Sequence, residues 1–173
     1  MAAVSSIAGS SIMYLRAMCL TAGGILHVAP LPTMREIKRN GSVMNYHIAP
    51  YASTLLNHSI NGYYAFVRGD PALMTHRTAG VIANLCYIYF YLSYCPPTRM
   101  PEAKRFLTRV VIIFSAMMTV LHVLLPMLGK TKYFFNTLAT FGAFTGIGLA
   151  ASLLVTIVRF CELRTALAHA TYG

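Results

Sequence analysis

Two prolines at the ends of successive apolar stretches are the strongest constraint on how this chain folds. Pro30 closes the first stretch and Pro50 opens the second, with a basic loop between them that holds Arg35, Lys38 and Arg39. A proline in or at the end of a membrane helix removes a backbone hydrogen bond and bends the chain. In hydrocarbon, such a bend is tolerated only against other protein or a wet cavity. Two of them at the same end of a bundle therefore predict a hinged pore.

The composition is typical of a polytopic membrane protein. Of the 173 residues, 57% are hydrophobic and 10% are charged, whereas about 25% of residues are charged in a typical soluble domain. The formal charge of +10 comes from basic residues in short loops, where they set membrane orientation, so we expect no binding to nucleic acid. The four cysteines follow no metal-binding or disulfide spacing. We therefore expect neither a metal nor a cofactor.

Five apolar segments predict an all-α, polytopic membrane helical bundle. They cover residues 7–30, 50–67, 78–95, 110–128 and 136–160. The second and third segments lie near the lower end of the roughly 17–25 residues that a membrane span requires. All five are long enough to be read as spans, which predicts that the two termini lie on opposite faces of the membrane.

The basic residues are distributed unevenly over the loops between these segments. The larger set lies in the first loop, the third loop and the tail: Arg35, Lys38, Arg39, Arg99, Lys104, Arg105, Arg109, Arg159 and Arg164. The smaller set lies in the second and fourth loops: Arg68, Arg77, Lys130 and Lys132. Because cytosolic loops carry the excess of Lys and Arg, we expect the N-terminus outside and the C-terminus in the cytosol.

Nothing in the chain indicates catalysis. Its acidic residues lie in loops or tails, where no two are placed for general acid–base work: Glu36, Asp70, Glu102 and Glu162. No nucleophile or phosphate-loop motif is present in the sequence. We therefore expect a protein that is not an enzyme.

Polar side chains interrupt the apolar segments at a few positions. Asn57 and Asn61 are four residues apart on one helix face, so they point either at a neighbouring helix or into a lumen. His27, His58 and His122 lie in or near the segments without the spacing of a ligand pair. Structural roles are the expectation for these histidines.

At these residues the chain resembles the SWEET sugar transporters, also called the MtN-saliva family, which are relatives of the PQ-loop proteins. The resemblance covers about residues 24–164. Its most specific parts are Pro30-Leu31-Pro32-Thr33, Pro50-Tyr51, Thr54-Leu55-Leu56-Asn57 and Tyr64. Family members usually have a triple-helix bundle, a linker helix and a second triple-helix bundle. The resemblance therefore implies a first triple-helix bundle in residues 1–97, the linker helix in 98–130, and the first helix of an incomplete second bundle in 131–173.

The resemblance also implies where the moving parts lie. Pro30 and Pro50 match two of the family's hinge prolines, while Leu153 stands where a third is expected. Tyr64 falls at the family's extracellular gate, and we assign Arg68, one helical turn later, to the same gate.

The implied substrate-binding residues are Asn57, Asn61 and Arg77. Asn61 falls on a polar pocket position of the second helix, with Asn57 one turn away. Arg77 stands in place of the family's pocket asparagine in the third helix, if the preceding loop is slightly shorter. The family's pocket tryptophan and second asparagine belong to helices that this sequence lacks, so we expect that a single chain does not form the full sugar site.

The function implied by the resemblance is passive, bidirectional uniport of mono- or disaccharides by alternating access, in a chain that is truncated or degenerate. Two alternatives stay open: a non-transporting assembly partner or paralogue, and a mitochondrial carrier of small carboxylates, which the cations Arg16 and Arg77 would suit. The expected partners are a sugar, membrane lipid, and either a second copy or a full-length relative. Association would use the small-residue stripe Gly142, Gly146 and Ala150. The expected location is the plasma membrane, with the Golgi or the mitochondrial inner membrane as alternatives.

Overall fold

The protein is helical throughout the part of the chain that the structure describes. A computed structural model describes residues 13–14, 17–18, 20–130 and 133–148, and within these ranges it contains no strand. The expected all-α class is therefore confirmed. Several sequence predictions concern residues outside these ranges: Arg16, Lys132, Ala150, Leu153, Arg159 and Arg164.

The first proline separates two helices. Helix α1 occupies residues 20–28 and helix α2 occupies Leu31–Asn40, with Ala29 and Pro30 in the turn between them. The Ala29 N–H donates to the Ile25 carbonyl at 3.2 Å, but Pro30 has no N–H with which to continue the ladder. Helical bonding resumes where the Met34 N–H donates to the Pro30 carbonyl at 3.0 Å. The helix breaks here because the proline ring replaces the N–H that would continue the hydrogen-bond ladder.

The segment between Pro30 and Pro50 is not the basic loop that the sequence suggested. Most of it forms helix α2, which buries Met34 and Ile37 on one face and exposes its basic side chains on the other. The buried face packs against helix α4 (Pro71–Ser93). Two apolar side chains at i and i+3 are enough to hold a ten-residue amphipathic helix against a larger neighbour.

Helix α3 (Ala49–Arg68) and helix α4 form an antiparallel hairpin, which is the most extensive helix–helix packing in the described residues. Gly69 ends α3 in the left-handed conformation, with φ at 66°, where glycine carries no steric penalty. Asp70 then caps α4, because its carboxylate accepts the Leu73 N–H at 3.1 Å. This cap starts α4 ahead of the apolar run that begins at residue 78.

Helix α5 covers Met100–Met127. It consists of Met100–Thr119, a π-helical turn at Val120–Leu124, and the final residues Leu125–Met127. Of the helices in residues 20–130 and 133–148, this one is long and apolar enough to cross a membrane. Only 22% of its most apolar stretch is buried inside the protein, which leaves most of its surface for lipid. Whether α3 and α4 also cross the membrane remains a prediction, as does the division into bundle, linker and second bundle.

Helix α6 covers residues 134–148, the described part of the last apolar segment. It meets α3 and α5 in an apolar cluster formed by Leu56, Ile60, Met117, Leu121 and Leu138. A second apolar cluster lies at the other end of α3, beside α2 and α4, and its buried members include Ile37, Val43, Ile48, Tyr51, Tyr87, Ile88 and Tyr91. Helix α3 takes part in both clusters and is therefore the central helix.

Candidate functional site

Polar side chains from four helices meet around the middle of α3. The set, here called the polar cluster, contains one residue of α1, three of α3, two of α4 and one of α6: His27, Asn57, His58, Asn61, His76, Arg77 and Thr145. All but Thr145 come from the helices before α5. The cluster lies near the middle of α3, since Asn57 is about 12 Å along a helix that is about 30 Å long.

Asn57 joins three helices through its side chain. Its Oδ1 accepts a hydrogen bond from Arg77 Nη1 of α4 at 3.5 Å, and its Nδ2 donates to Thr145 Oγ1 of α6 at 3.3 Å. Its backbone carbonyl accepts from Asn61 Nδ2 at 2.9 Å. Only 7% of Asn57 is exposed. The three residues that the sequence analysis assigned to substrate binding therefore lie together, and their roles remain predictions.

Three histidine rings lie next to one another in the polar cluster, and one of them contacts Arg77. The ring centre of His27 lies 4.8 Å from that of His58 and 4.7 Å from that of His76. Arg77 Nη1 lies 3.4 Å from His58 Nδ1. The sequence analysis treated His27 and His58 as separate structural residues and did not single out His76. A partial signal existed, because the antiparallel α3–α4 hairpin places Gly80 opposite His58, and His76 lies one helical turn from Gly80. His122 lies elsewhere and contacts the Tyr63 hydroxyl at 2.7 Å.

Two glycines make room for the imidazole rings. A Cβ added at Gly80 would lie 2.7 Å from His27 Cε1 and 2.7 Å from His58 Cδ2, and one added at Gly23 would lie 2.4 Å from His76 Nε2. Real Cβ atoms do not approach other heavy atoms this closely. The polar cluster therefore depends on the missing side chains at these two positions.

The small-residue stripe of α6 is used inside the chain. A Cβ at Gly142 would lie 3.0 Å from Asn61 Oδ1, and one at Gly146 would lie 3.6 Å from Asn57 Nδ2. The described part of the stripe thus lets α6 approach α3 closely, as small residues do between membrane helices. The expectation that Gly142 and Gly146 form an association surface is wrong, because both face α3.

Arg77 contacts no acidic side chain among the described residues. The acids in residues 20–130 lie elsewhere: Glu36 accepts from the Tyr46 hydroxyl at 2.6 Å, Asp70 caps α4, and Glu102 lies in the first turn of α5. Two buried polar atoms in the described residues find no hydrogen-bond partner, Arg77 Nε and His27 Nε2. Both belong to the polar cluster, which therefore has unused hydrogen-bonding capacity beside a cation.

The predicted gate and hinge residues lie towards opposite ends of α3. Near its C-terminal end, Arg68 Nη1 donates to the Tyr64 hydroxyl at 2.7 Å, and the guanidinium lies 5.6 Å from the centre of the Tyr64 ring. Pro50 lies in the first turn of α3, where a missing N–H breaks no intrahelical bond. Pro30 lies at the α1–α2 break. A hinge at Pro50 would therefore act at the start of α3 and not within it.

A separate cavity of about 510 Å³ opens beside the start of α5. Its lining includes Arg99, Arg105 and Arg109, together with Glu102, and no residue of the polar cluster. Next to it, the loop after α2 is held by Tyr46, whose hydrogen bond to Glu36 raises the pKa of Tyr46 to about 12. The cavity is distinct from the predicted substrate site.

The described residues provide no evident metal centre. No group of three or more His, Cys, Asp or Glu side chains in residues 20–130 and 133–148 is arranged to hold a metal ion. The three histidine rings of the polar cluster pack edge to face or tilted, with ring centres 4.7, 4.8 and 6.4 Å apart. Cys86 and Cys95 are free thiols.

Comparison with protein families identifies the family of this chain. Residues 13–99 match the MtN3/saliva family, described as sugar efflux transporters for intercellular exchange, and this match spans about half of the chain. The chain belongs to the SWEET family. The family implies an integral membrane protein, and six of the seven polar-cluster residues lie inside the matched segment.

Individual relatives agree with the family match. The bidirectional sugar transporter SWEET13 of Oryza sativa subsp. japonica is 29% identical over 90 residues, which cover 51% of this chain and 29% of the relative. SWEET2 of Arabidopsis thaliana is 35% identical over 88 residues, covering 44% of this chain and 37% of the relative. The human sugar transporter SWEET1 is 30% identical over 90 residues, covering 52% and 40%. These relatives are transporters and not enzymes, and the chain matches less than half of their length.

Proposed function

We propose that this protein moves sugars passively across a membrane and that the polar cluster is its sugar-binding site. The observation that carries the proposal is the meeting of Asn57, Asn61 and Arg77 between α3, α4 and α6. The resemblance to the family, which does not depend on these contacts, implies the same three residues. Relatives named as bidirectional sugar transporters support the same function.

The chemistry of the polar cluster suits a hydroxylated substrate. Asn57, Asn61 and Thr145 present amide and hydroxyl groups that both donate and accept hydrogen bonds. A sugar hydroxyl also does both, so these side chains can exchange their contacts with one another for contacts with a sugar. The contacts that would be exchanged are long, since Asn57 reaches Arg77 at 3.5 Å and Thr145 at 3.3 Å.

The position of the cluster suits alternating access. Transporters of this kind bind substrate near the membrane midplane, with bundles that move around the site. The polar cluster lies near the middle of α3, the break at Pro30 lies towards one end of the bundle, and the Tyr64–Arg68 pair lies towards the other. We infer that the two ends open in turn, with Tyr64 and Arg68 narrowing one mouth and the proline-bounded segment closing the other.

Uniport is the proposed mode of transport. No acidic side chain among the described residues lies in the polar cluster, so the cluster offers no carboxylate to carry a coupling proton. The names of the relatives also describe transport in both directions.

We further propose that a complete pocket includes helices beyond those described. The chain matches only a part of each relative, so the remaining walls come from further sequence, from a second copy or from a longer relative. A chain that acts only as an assembly partner is the competing function. It predicts that the isolated protein moves no sugar.

Counterflow in proteoliposomes tests the transport proposal. The purified full chain is reconstituted with glucose or sucrose inside, and uptake of the labelled sugar is measured for the wild type, Asn57→Ala and Asn84→Ala. Asn84 is a matched control, because it is also buried, at 3% exposure, and bonds only within α4 to the Gly80 carbonyl.

We expect Asn57→Ala to lower the initial counterflow rate at least tenfold and Asn84→Ala to leave it within twofold. Interhelical hydrogen bonds in membranes contribute about 0.6 kcal/mol each, so losing the two that Asn57 makes should leave the helices packed. Equal rates for the two variants would contradict the site. An inactive wild type that becomes active only with a longer relative would favour the assembly-partner function.

A further inference from the structure

Arg77 is a half-buried cation that contacts no counter-ion among the described residues, and its Nε atom is fully buried. Its Nη1 reaches Asn57 Oδ1 at 3.5 Å and His58 Nδ1 at 3.4 Å, both long contacts, and its Nε has no hydrogen-bond partner. Burying an unpaired charge is unfavourable. Arginine does not relieve this cost by losing its proton, because the guanidinium stays protonated in proteins. An anion beside Arg77 would therefore stabilise it.

No packed helix supplies that anion in the described residues. The ionisable side chains beside Arg77 are His58 from α3 and His76 from α4, with His27 from α1 against both rings. Helix α6 carries no charged side chain over residues 134–148. Every ionisable group around Arg77 is thus neutral or cationic. Within residues 20–130 and 133–148, no side chain supplies the negative charge, and a bound ligand can supply it.

We propose that Arg77 binds the carboxylate of an anionic sugar, and that the substrate class of this chain is sugar acids such as hexuronates. The proposal rests on the proposed function, in which the polar cluster is the sugar site. The planar guanidinium presents Nε–H and Nη–H in parallel, a geometry that matches the two oxygens of a carboxylate. The partnerless Arg77 Nε lies on that edge.

The neighbours of Arg77 suit the rest of a sugar acid. Asn57, Asn61 and Thr145 lie on the α3 and α6 side of the cation and can hold ring hydroxyls. His27 Nε2, the second buried atom without a partner, is available as a further contact. One arginine balances the single charge of a carboxylate, whereas a sugar phosphate carries about −1.5 to −2 at pH 7.

Equilibrium binding to the purified full chain in nanodiscs of neutral lipid tests the assignment. The probes are labelled glucose, glucuronate and glucose 6-phosphate, and the variants are Arg77→Gln and Arg39→Gln. Arg39 is a matched control, since it is an exposed cation in the last turn of α2, away from the polar cluster. Added chloride at high concentration should weaken glucuronate binding, because it screens and competes for the cation.

We expect the wild type and Arg39→Gln to bind glucuronate at least tenfold more tightly than glucose. Arg77→Gln should remove this preference while its affinity for glucose changes by less than threefold. Equal affinity of the wild type for glucose and glucuronate would overturn the proposal, and so would a preference that survives in Arg77→Gln. Tighter binding of glucose 6-phosphate than of glucuronate would overturn the carboxylate assignment.

A second measurement does not depend on any variant folding. Glucuronate should raise the melting temperature of the wild type more than glucose does at the same concentration, because a ligand that binds only the folded state stabilises it. Equal or absent shifts for the two sugars would count against an anion site.

Failure of this inference is distinguishable from failure of the transport proposal. Sugar counterflow without preference for glucuronate overturns the anion site and leaves transport standing. Preferential glucuronate binding by a protein that shows counterflow of neither glucose nor glucuronate supports the anion site and contradicts transport.

Discussion

At the scale of single residues, the polar cluster depends as much on absent side chains as on polar ones. Gly80 and Gly23 leave the space into which the rings of His27, His58 and His76 pack. A helical glycine is unfavourable by about 1 kcal/mol relative to alanine, so these glycines weaken their helices in exchange for close approach. The packing of the histidine rings therefore depends on Gly23 and Gly80, which have no side chains of their own.

Gly80→Ala should destabilise the protein by about 1–3 kcal/mol, the usual range for overpacking. Its new Cβ would lie 2.7 Å from both His27 Cε1 and His58 Cδ2, and both rings belong to other helices and must move. Thermal unfolding in detergent measures the change. Gly24→Ala is the control, since nothing lies within 4 Å of a Cβ at that position; equal melting temperatures for the two variants would contradict this packing.

At the scale of helices, local sequence signals account for where helices begin and end, but they do not reveal every helix. Helices α2 and α3 end at Gly41 and Gly69, each with a φ of 66°, and α4 begins after the Asp70 cap. The sequence pattern indicates a loop where α2 forms, because the helix exposes basic side chains and buries only two apolar ones, Met34 and Ile37. The short helix is retained because α4 covers that face.

Replacing Pro30 and Pro32 together with Ala should fuse α1 and α2 into one helix, because alanine restores the N–H groups that both proline rings remove. Spin labels at the exposed residues 22 and 39 would then move apart towards about 25 Å, the length of a continuous helix over that interval, and sugar counterflow should fall. Electron spin resonance measures the label distance. Pro50→Ala serves as the control, since a proline in the first turn interrupts no helical bond; a similar change of distance in both variants would remove Pro30 and Pro32 as the source of the break.

At the scale of the whole molecule, large apolar side chains are exposed on α5 and α6, while a few polar side chains are buried among the apolar clusters. Helix α5 exposes Val111, Ile112 and Ile113, and α6 exposes Phe144 and Ile147, while Asn57, His58 and Asn84 are buried. This arrangement suits a lipid surround, in which apolar side chains face hydrocarbon and polar groups pair with one another. It agrees with membership of a family of membrane transporters.

The topology of the full chain is a prediction at this scale. From the excess of basic residues in alternate loops, a tag at the N-terminus should lie outside the cell and a tag at the C-terminus in the cytosol. Protease protection of the two tags in intact and permeabilised cells measures this. Finding both tags on the same face would exclude five spans.

The sequence by itself determined the helical class and the end of the first apolar segment at Pro30. Each of these follows from a local cause: a run of apolar residues or a missing N–H. It also identified Asn57, Asn61 and Arg77 as one set, through resemblance to a family. Only the tertiary structure decided that His27, His58 and His76 lie together beside Arg77. The number of residues between them along the chain does not determine how closely their three helices approach. That approach depends on the missing side chains of Gly23 and Gly80, which matter only once the helices are packed.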